Sequence, residues 1–298
     1  IDNRKHTIAD FSQGITRFCM GLFKKVCIAN VAGELVARYM DADLSTLSIA
    51  EAWFGLLMFT FQIYYDFSGY SDMAIGLGRI FGFRYPENFN YPYIAKTATE
   101  FWRRWHMTLG AFFRDYLYIP LGGKKHHPYR NLFIVWFLTG MWHGASWNFI
   151  LWGLYFGLLI LLERLFLRRV LESLPAIVSH CYLLFFVVMG WALFYFVDSA
   201  RLFAYCSLLF GATEAPAMSP DLLPVIKQHL FWLVMAVLLC MPIYPWLKKR
   251  MMETSDGQPR NLPALGLVVV LANLFLLLLT ATTMLVGKTY NPFLYFRF

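Results

Sequence analysis

Asn131 to Leu162 reads NLFIVWFLTGMWHGASWNFILWGLYFGLLILL, a stretch without one Asp, Glu, Lys or Arg but with His143 near its centre. An ionisable ring in so apolar a segment is costly unless it is paired, and ionisable residues inside a membrane default to functional roles. The flanking charges make the stretch decisive for the fold. Between Arg79 and Arg130 nine basic residues stand against three acids, Glu87, Glu100 and Asp115. The positive-inside rule therefore places this loop, residues 82–130, in the cytoplasm. The cluster Arg164, Arg168 and Arg169 asks for the same side. One crossing would separate the two basic sets, and two full crossings need about 40 residues. A broken or re-entrant element resolves the conflict. Gly140 and Gly144 flank Met141-Trp142-His143, so the backbone can turn at membrane depth, provided the turn is buried in protein or lines a wet cavity. The competing reading is one long tilted helix with an unusual topology.

Composition agrees with a bilayer as the main solvent. Of 298 residues 59% are apolar and 19% aromatic, and the mean hydropathy is +0.51. These values fit an all-α, polytopic integral membrane protein better than one or two soluble domains. Runs long enough for a core of roughly 30 Å are expected at 178–197, 230–247 and 262–286. Ala50 to Phe81 reads as a further span whose second half is polar and inward-facing. Ser12 to Met40, with Arg17, Lys24, Lys25, Glu34 and Arg38, reads as a span with snorkelling ends or an interfacial helix. The polar opening IDNRKHTIADF after Ile1 reads as a fragment lacking upstream spans, so residues 1–298 are expected to form the C-terminal portion of a single membrane-embedded domain, with 131–162 as its catalytic segment. The net charge of +8 comes from short loops, where membrane orientation explains it, and does not point to nucleic acid. Lys248-Lys249-Arg250 belongs to the same pattern, whereas Asp198 to Lys227 holds two basic residues against three acids and is expected outside. The five cysteines are scattered without a C-x-x-C pair, which argues against a zinc site or a disulfide framework.

Three constellations carry the chemistry. The first is His143. A neutral imidazole, with an ordinary pKa of about 6.5, accepts a proton from a hydroxyl near neutral pH; Trp142, Ser146 and Asn148 are near enough in sequence to support it. The bland alternative is a core histidine bonded to a carbonyl. The second is Glu100-Phe-Trp-Arg-Arg-Trp-His-Met-Thr-Leu109, in which Trp102, Arg103 and Arg104, with Lys124 downstream, form a basic, aromatic face able to hold a phosphorylated ligand. Interfacial anchoring alone would also explain it. The third is the pair Asp66 and Asp72 in YYDFSGYSD, which six-residue spacing keeps off one helical face and which should be paired with arginine or bonded to backbone in a structural role. No histidines lie at ligand spacing beside them, so no metal is expected.

YYDFSGYSDMAIG (Tyr64 to Gly76), FWRRWHMTLGAFFRDYLYIPLGG (Phe101 to Gly123), GMWHGASWNFILWG (Gly140 to Gly153) and the closing NPFLYFRF resemble the membrane-bound O-acyltransferases, and specifically their bacterial alginate O-acetyltransferase branch. Tyr118 to Gly123 favours that branch over the related D-alanyl transfer proteins. The resemblance implies a ring of transmembrane helices around a thinned centre, with His143 as the catalytic histidine and His106 as its second histidine. It also implies acetyl-CoA as cytoplasmic donor, no permanently bound cofactor, and the phosphates of coenzyme A as the ligand for Arg103, Arg104 or Lys124. A multi-pass protein of the bacterial inner membrane is expected, passing acetyl to an exopolysaccharide such as alginate, directly or through an extracytoplasmic SGNH-type partner. Three rivals remain: transfer of another acyl group, such as D-alanyl, from a carrier protein, a proton-coupled transporter using His143, Asp66 and Asp72, and a non-catalytic membrane scaffold. A non-catalytic scaffold would tolerate His143→Gln.

Overall fold

The computed structural model describes residues 7–243, 245–246, 264–286 and 293. Among them all regular structure is helical. Two compact units are distinguished. One comprises Leu35–Thr60 and Asn88–Gln228; the other comprises Phe61–Glu87 with the described residues before Leu35 and after Gln228.

In the unit containing the chain's first described residues, α1 (Ile8–Phe23) starts at Thr7, whose hydroxyl accepts from the Asp10 amide, and passes through a π-helical turn, Lys24–Ala29, into α2 (Asn30–Met40). The partner of α1 is the second half of α3 (Ile49–Ile80). Glycines at seven-residue spacing meet in antiparallel register: a Cβ on Gly14 would lie 2.7 Å from the Gly76 carbonyl, and one on Gly21 would lie 2.5 Å from that of Gly69. Such small residues let membrane helices approach backbone to backbone. Ion pairs run along the same seam. Asp72 binds Arg17 at 2.7 Å and Lys24 at 2.7 Å, Arg79 reaches back to Asp10 at 3.1 Å, and Lys25 pairs with Asp66 in a fully enclosed contact. The lysines expected to snorkel are thus turned inward, because two carboxylates in the same apolar seam need counter-charges. The helix α13 (Ala264–Leu285) packs along α1, and Val26, Cys27 and Ala281 form a small core.

The other unit is larger. Its part of α3 begins with a reciprocal cap in which Glu51 accepts from the Ser48 amide at 2.9 Å and the Ser48 hydroxyl accepts from the Glu51 amide at 3.3 Å. The loop at 82–130 contains α4 (Ala98–Arg104), α5 (Met107–Phe113) and a π-helical turn at Arg114–Tyr118. The run 131–162 is broken: α6 (Pro128–His143) ends at His143, and α7 starts at Trp147. From there α7 (Trp147–Leu162) continues without interruption through Glu163–Leu167, a third π-helical turn, into α8 (Arg168–Ser173), giving 27 residues of helix, about 40 Å at 1.5 Å per residue. The cluster Arg164, Arg168 and Arg169 therefore lies on a helix rather than in a loop. The next helix, α9 (Ala176–Tyr195), is long and apolar enough to cross a membrane, as is the continuous helix before it, and it falls within two residues of the expected span. It is followed by α10 (Ser199–Leu209) and α11 (Leu222–Gln228). The span expected at 230–247 is interrupted: α12 (Leu230–Leu239) gives way to a turn at Cys240, Met241 and Pro242, after which Ile243, Pro245 and Trp246 are helical again; proline cannot continue the hydrogen-bond ladder. Residues 247–263, with Lys248-Lys249-Arg250, and the closing motif apart from Phe293 lie outside the described residues.

Candidate active site

The break in the apolar run is a tight antiparallel hairpin. Gly140 abuts the Phe149 carbonyl, Gly153 abuts the Trp136 carbonyl, and a Cβ on Gly157 would lie 2.9 Å from Trp136. Any larger residue at these points would push α6 off α7. At Gly144 the backbone is extended, and a Cβ there would come within 2.8 Å of the Phe149 ring. This packing leaves His143 at the last position of α6, facing the first turns of α7.

His143 is half-buried and makes no hydrogen bond to the described residues; rings position it instead. Trp142 stands at 4.8 Å between centroids, Trp152 of α7 at 4.9 Å with an interplanar angle of 85°, Phe194 of α9 at 5.3 Å and Phe149 at 6.3 Å. Edge-to-face contacts of this kind are worth about 0.5–1.5 kcal/mol each beyond their area. Asn148 is buried and its Nδ2 donates to the Phe194 carbonyl at 3.3 Å, tying α7 to α9 on the same side. Ser146 precedes α7 without a side-chain cap.

The second histidine arrives by a different route. Glu163, 2% exposed, accepts from the Ala98 amide at 2.5 Å, the Thr99 amide at 2.9 Å and the Thr99 hydroxyl at 2.7 Å. Its carboxylate thereby occupies the positive end of α4. The helix then delivers Phe101, Trp102 and Trp105 into the aromatic cluster of Trp136, Trp152, Phe156 and Trp191. His106 follows with φ 45° and ψ 53°, a left-handed conformation unusual for a residue with a side chain, before α5 begins. Asn88 holds it there. The Asn88 Oδ1 accepts from the Thr108 amide at 3.3 Å and the Thr108 hydroxyl at 2.8 Å, and lies 3.1 Å from His106 Nδ1. An oxygen facing that nitrogen requires a proton on Nδ1, so in the neutral ring the lone pair sits on Nε2. Burial pushes the His106 pKa down to about 3, and repulsion from a charged His143 adds to the shift. Trp142, 44% exposed, spans the two sites, with its ring 6.0 Å from His106.

The structure thus brings His143, His106, Trp142, Trp102 and Asn148 into one cluster. Arg104 is engaged locally, bound to Glu100 at 2.9 Å and donating to the Asn90 carbonyl at 3.1 Å. Arg103 and Lys124 are exposed. The loop carrying Lys124 is latched by Asn131, which is fully buried and donates to the carbonyls of Leu121, Gly123 and His126. Gly122 and Gly123, at φ 101° and 55°, supply the turn. Asp66 and Asp72 belong to the other unit and to its ion pairs. Asn88 and Glu163 have no signature in the sequence that links them to His106, whereas Thr108 lies inside the motif that contains it. Trp152 had one, since it lies inside the motif that contains His143. Chemically, the cluster offers two imidazoles, one of them neutral over the physiological range, flanking an accessible indole in aromatic surroundings. This is a setting for moving a proton to or from a hydroxyl or thiol.

Residues 2–207 match the profile of the MBOAT, membrane-bound O-acyltransferase, family. The chain is 38% identical to the probable alginate O-acetylase AlgI of Pseudomonas putida, over all of this chain and 63% of that protein. It is 41% identical to a peptidoglycan O-acetyltransferase of Helicobacter pylori, over 65% of this chain and 38% of that protein. Identity to a teichoic acid D-alanyltransferase of Bacillus subtilis is 32%, over 49% of this chain and 40% of that protein. The chain thus spans less than two thirds of the length of these curated relatives.

Proposed function

Because this chain belongs to the membrane-bound O-acyltransferase family, we propose that it forms the catalytic part of an O-acetyltransferase that takes acetyl from cytoplasmic acetyl-CoA and delivers it to a hydroxyl of an exopolysaccharide outside the bacterial inner membrane. The observation that carries the reading is the helix break that presents His143 beside a second, neutral histidine with Trp142 between them. The names of the Pseudomonas putida and Helicobacter pylori relatives, both O-acetyl transfer proteins of polymers, favour acetyl as the group and a polysaccharide as its destination.

In this mechanism His143 removes the proton from the acceptor hydroxyl as its oxygen attacks the thioester carbonyl. The tetrahedral intermediate collapses with cleavage of the C–S bond, and the proton passes to the departing thiolate. His106, whose Nε2 carries a lone pair, orients the thioester or the acceptor. In this reading Arg103 and Lys124, both exposed, meet coenzyme A phosphates from the loop side. The acceptor is the sugar itself or a hydroxyl of an SGNH-type partner that relays the acetyl group. His143→Ala should lower polymer acetylation by about 10²- to 10⁴-fold, the worth of a general base, while the protein still inserts; undiminished acetylation overturns the assignment. Donor competition distinguishes the acyl group, since labelled acetyl-CoA should transfer and a carrier-bound D-alanyl group should not.

A further inference from the structure

Three indole N–H groups in the aromatic cluster, those of Trp102, Trp152 and Trp191, are buried without an acceptor among the described residues. Buried polar groups in folded proteins almost always find a partner, so each exception calls for an explanation. A phenylalanine could fill such a position with no donor to satisfy. Trp152 is singled out by position. It is 1% exposed, so bulk water does not satisfy its N–H. It also meets the His143 imidazole edge to face, at 4.9 Å and 85°, while Trp191 stacks behind it at 6.4 Å and 23°. The ring is held from several sides: Trp102 and Phe156 contact it edge-on at 5.4 and 5.6 Å, and Phe194 lies at 5.2 Å. Such a side chain is locked before any ligand arrives, and the pre-organisation of a donor is what makes it effective in a transition state.

We infer that Trp152 is a catalytic residue whose indole N–H donates a hydrogen bond to the carbonyl oxygen of the acyl group undergoing transfer at His143. The inference rests on the acyl-transfer reading above and adds an electrophilic partner to its base. As the acceptor oxygen attacks, the carbonyl π-pair moves onto that oxygen, and the N–H bond stabilises the developing negative charge. The pair returns as the C–S bond breaks. Trp152 neither gains nor loses a proton. The hydroxyl proton still goes to His143 and then to the sulfur.

The test uses the full protein in membranes and the variant Trp152→Phe, with Trp191→Phe as the control that removes another unpaired N–H of the same cluster. Loss of one such donor should lower kcat/KM by about 10²-fold. Two unreactive donor analogues separate this role from packing: an S-acetonyl thioether of coenzyme A, which has a ketone near the thioester position, and an S-propyl thioether, which has none. The wild-type protein and Trp191→Phe should bind the ketone at least about tenfold better, and Trp152→Phe should bind the two alike. If Trp152→Phe fails to fold, benzothienylalanine at position 152, which keeps the bicyclic shape and replaces N–H by sulfur, provides the same comparison. A ketone preference that survives at position 152, or that is lost equally at 191, overturns the inference. His143→Ala reports separately: if that variant is inactive while the preference persists in Trp152→Phe, the acyl-transfer reading stands and the role of Trp152 falls.

Discussion

At the scale of single residues, the two histidines are held by opposite means. His143 is fixed by the shapes of four aromatic rings, His106 by one amide oxygen and an unusual backbone conformation. Burial keeps His106 neutral, and this has a consequence for stability. Its folded pKa, about 3, lies below the ordinary 6.5, so in acid the unfolded chain takes up a proton that the folded protein refuses. The penalty is absent above about pH 6.5 and grows as pH falls towards about 3. A His106→Gln variant does not titrate, so its thermal-inactivation midpoint should fall less steeply than that of the wild type through this acid window; parallel profiles would contradict the assignment. Asn88 was not recognisable in advance, because a neutral amide in a loop rich in Arg and Lys carries no signal of its own. Trp152, by contrast, was visible inside its motif, but its contact with His143 was not.

At the scale of elements, the placement of α4 depends on a residue in another helix. The Glu163 carboxylate binds the first amides of α4 from the π-helical turn after α7, and α4 leads directly to Trp105 and His106. Replacing Glu163 with Leu leaves the buried Ala98 amide without its acceptor, at about 1–3 kcal/mol, and frees the part-buried Thr99 amide as well. The expected outcome is faster amide exchange at Ala98 and Thr99 with unaltered exchange in α9, measured by hydrogen–deuterium exchange of the solubilised protein; unchanged exchange at both amides would sink the idea. In the sequence Glu163 reads as the first charge after an apolar run, hence as a boundary. The structure makes it an interior cap because the helix runs on to Ser173. The hairpin of α6 and α7 is the counterexample: glycines around His143 and the charge conflict on either side foretold a break, and α6 ends at His143 itself.

At the scale of the whole molecule, two units carry separate kinds of interior. One is an aromatic cluster around two histidines. The other is a seam of glycines and ion pairs, where Lys25 and Asp66 have side chains 8% and 3% exposed. Breaking a pair this deep leaves an uncompensated charge, so Asp66→Asn should destabilise the protein by about 3–5 kcal/mol, whereas Lys25→Met combined with Asp66→Leu should recover most of the loss. Denaturation of the solubilised variants would check both outcomes, and a double variant no more stable than the single one would show that the seam needs its charges.

Hydropathy, glycine placement and charge parity are local properties that add along the chain, so the sequence by itself determined the helical class, the span at α9 and the break beside His143, and it pointed to His143; His106 was singled out by the family resemblance alone. The tertiary structure alone decided which groups satisfy one another. Lys25 meets Asp66 across 41 residues, Glu163 meets Ala98 across 65, and His106 meets Asn88 across 18. These partnerships depend on which helix faces come within hydrogen-bond reach. That distance is set by packing, through glycines that admit a neighbouring backbone and rings that exclude one.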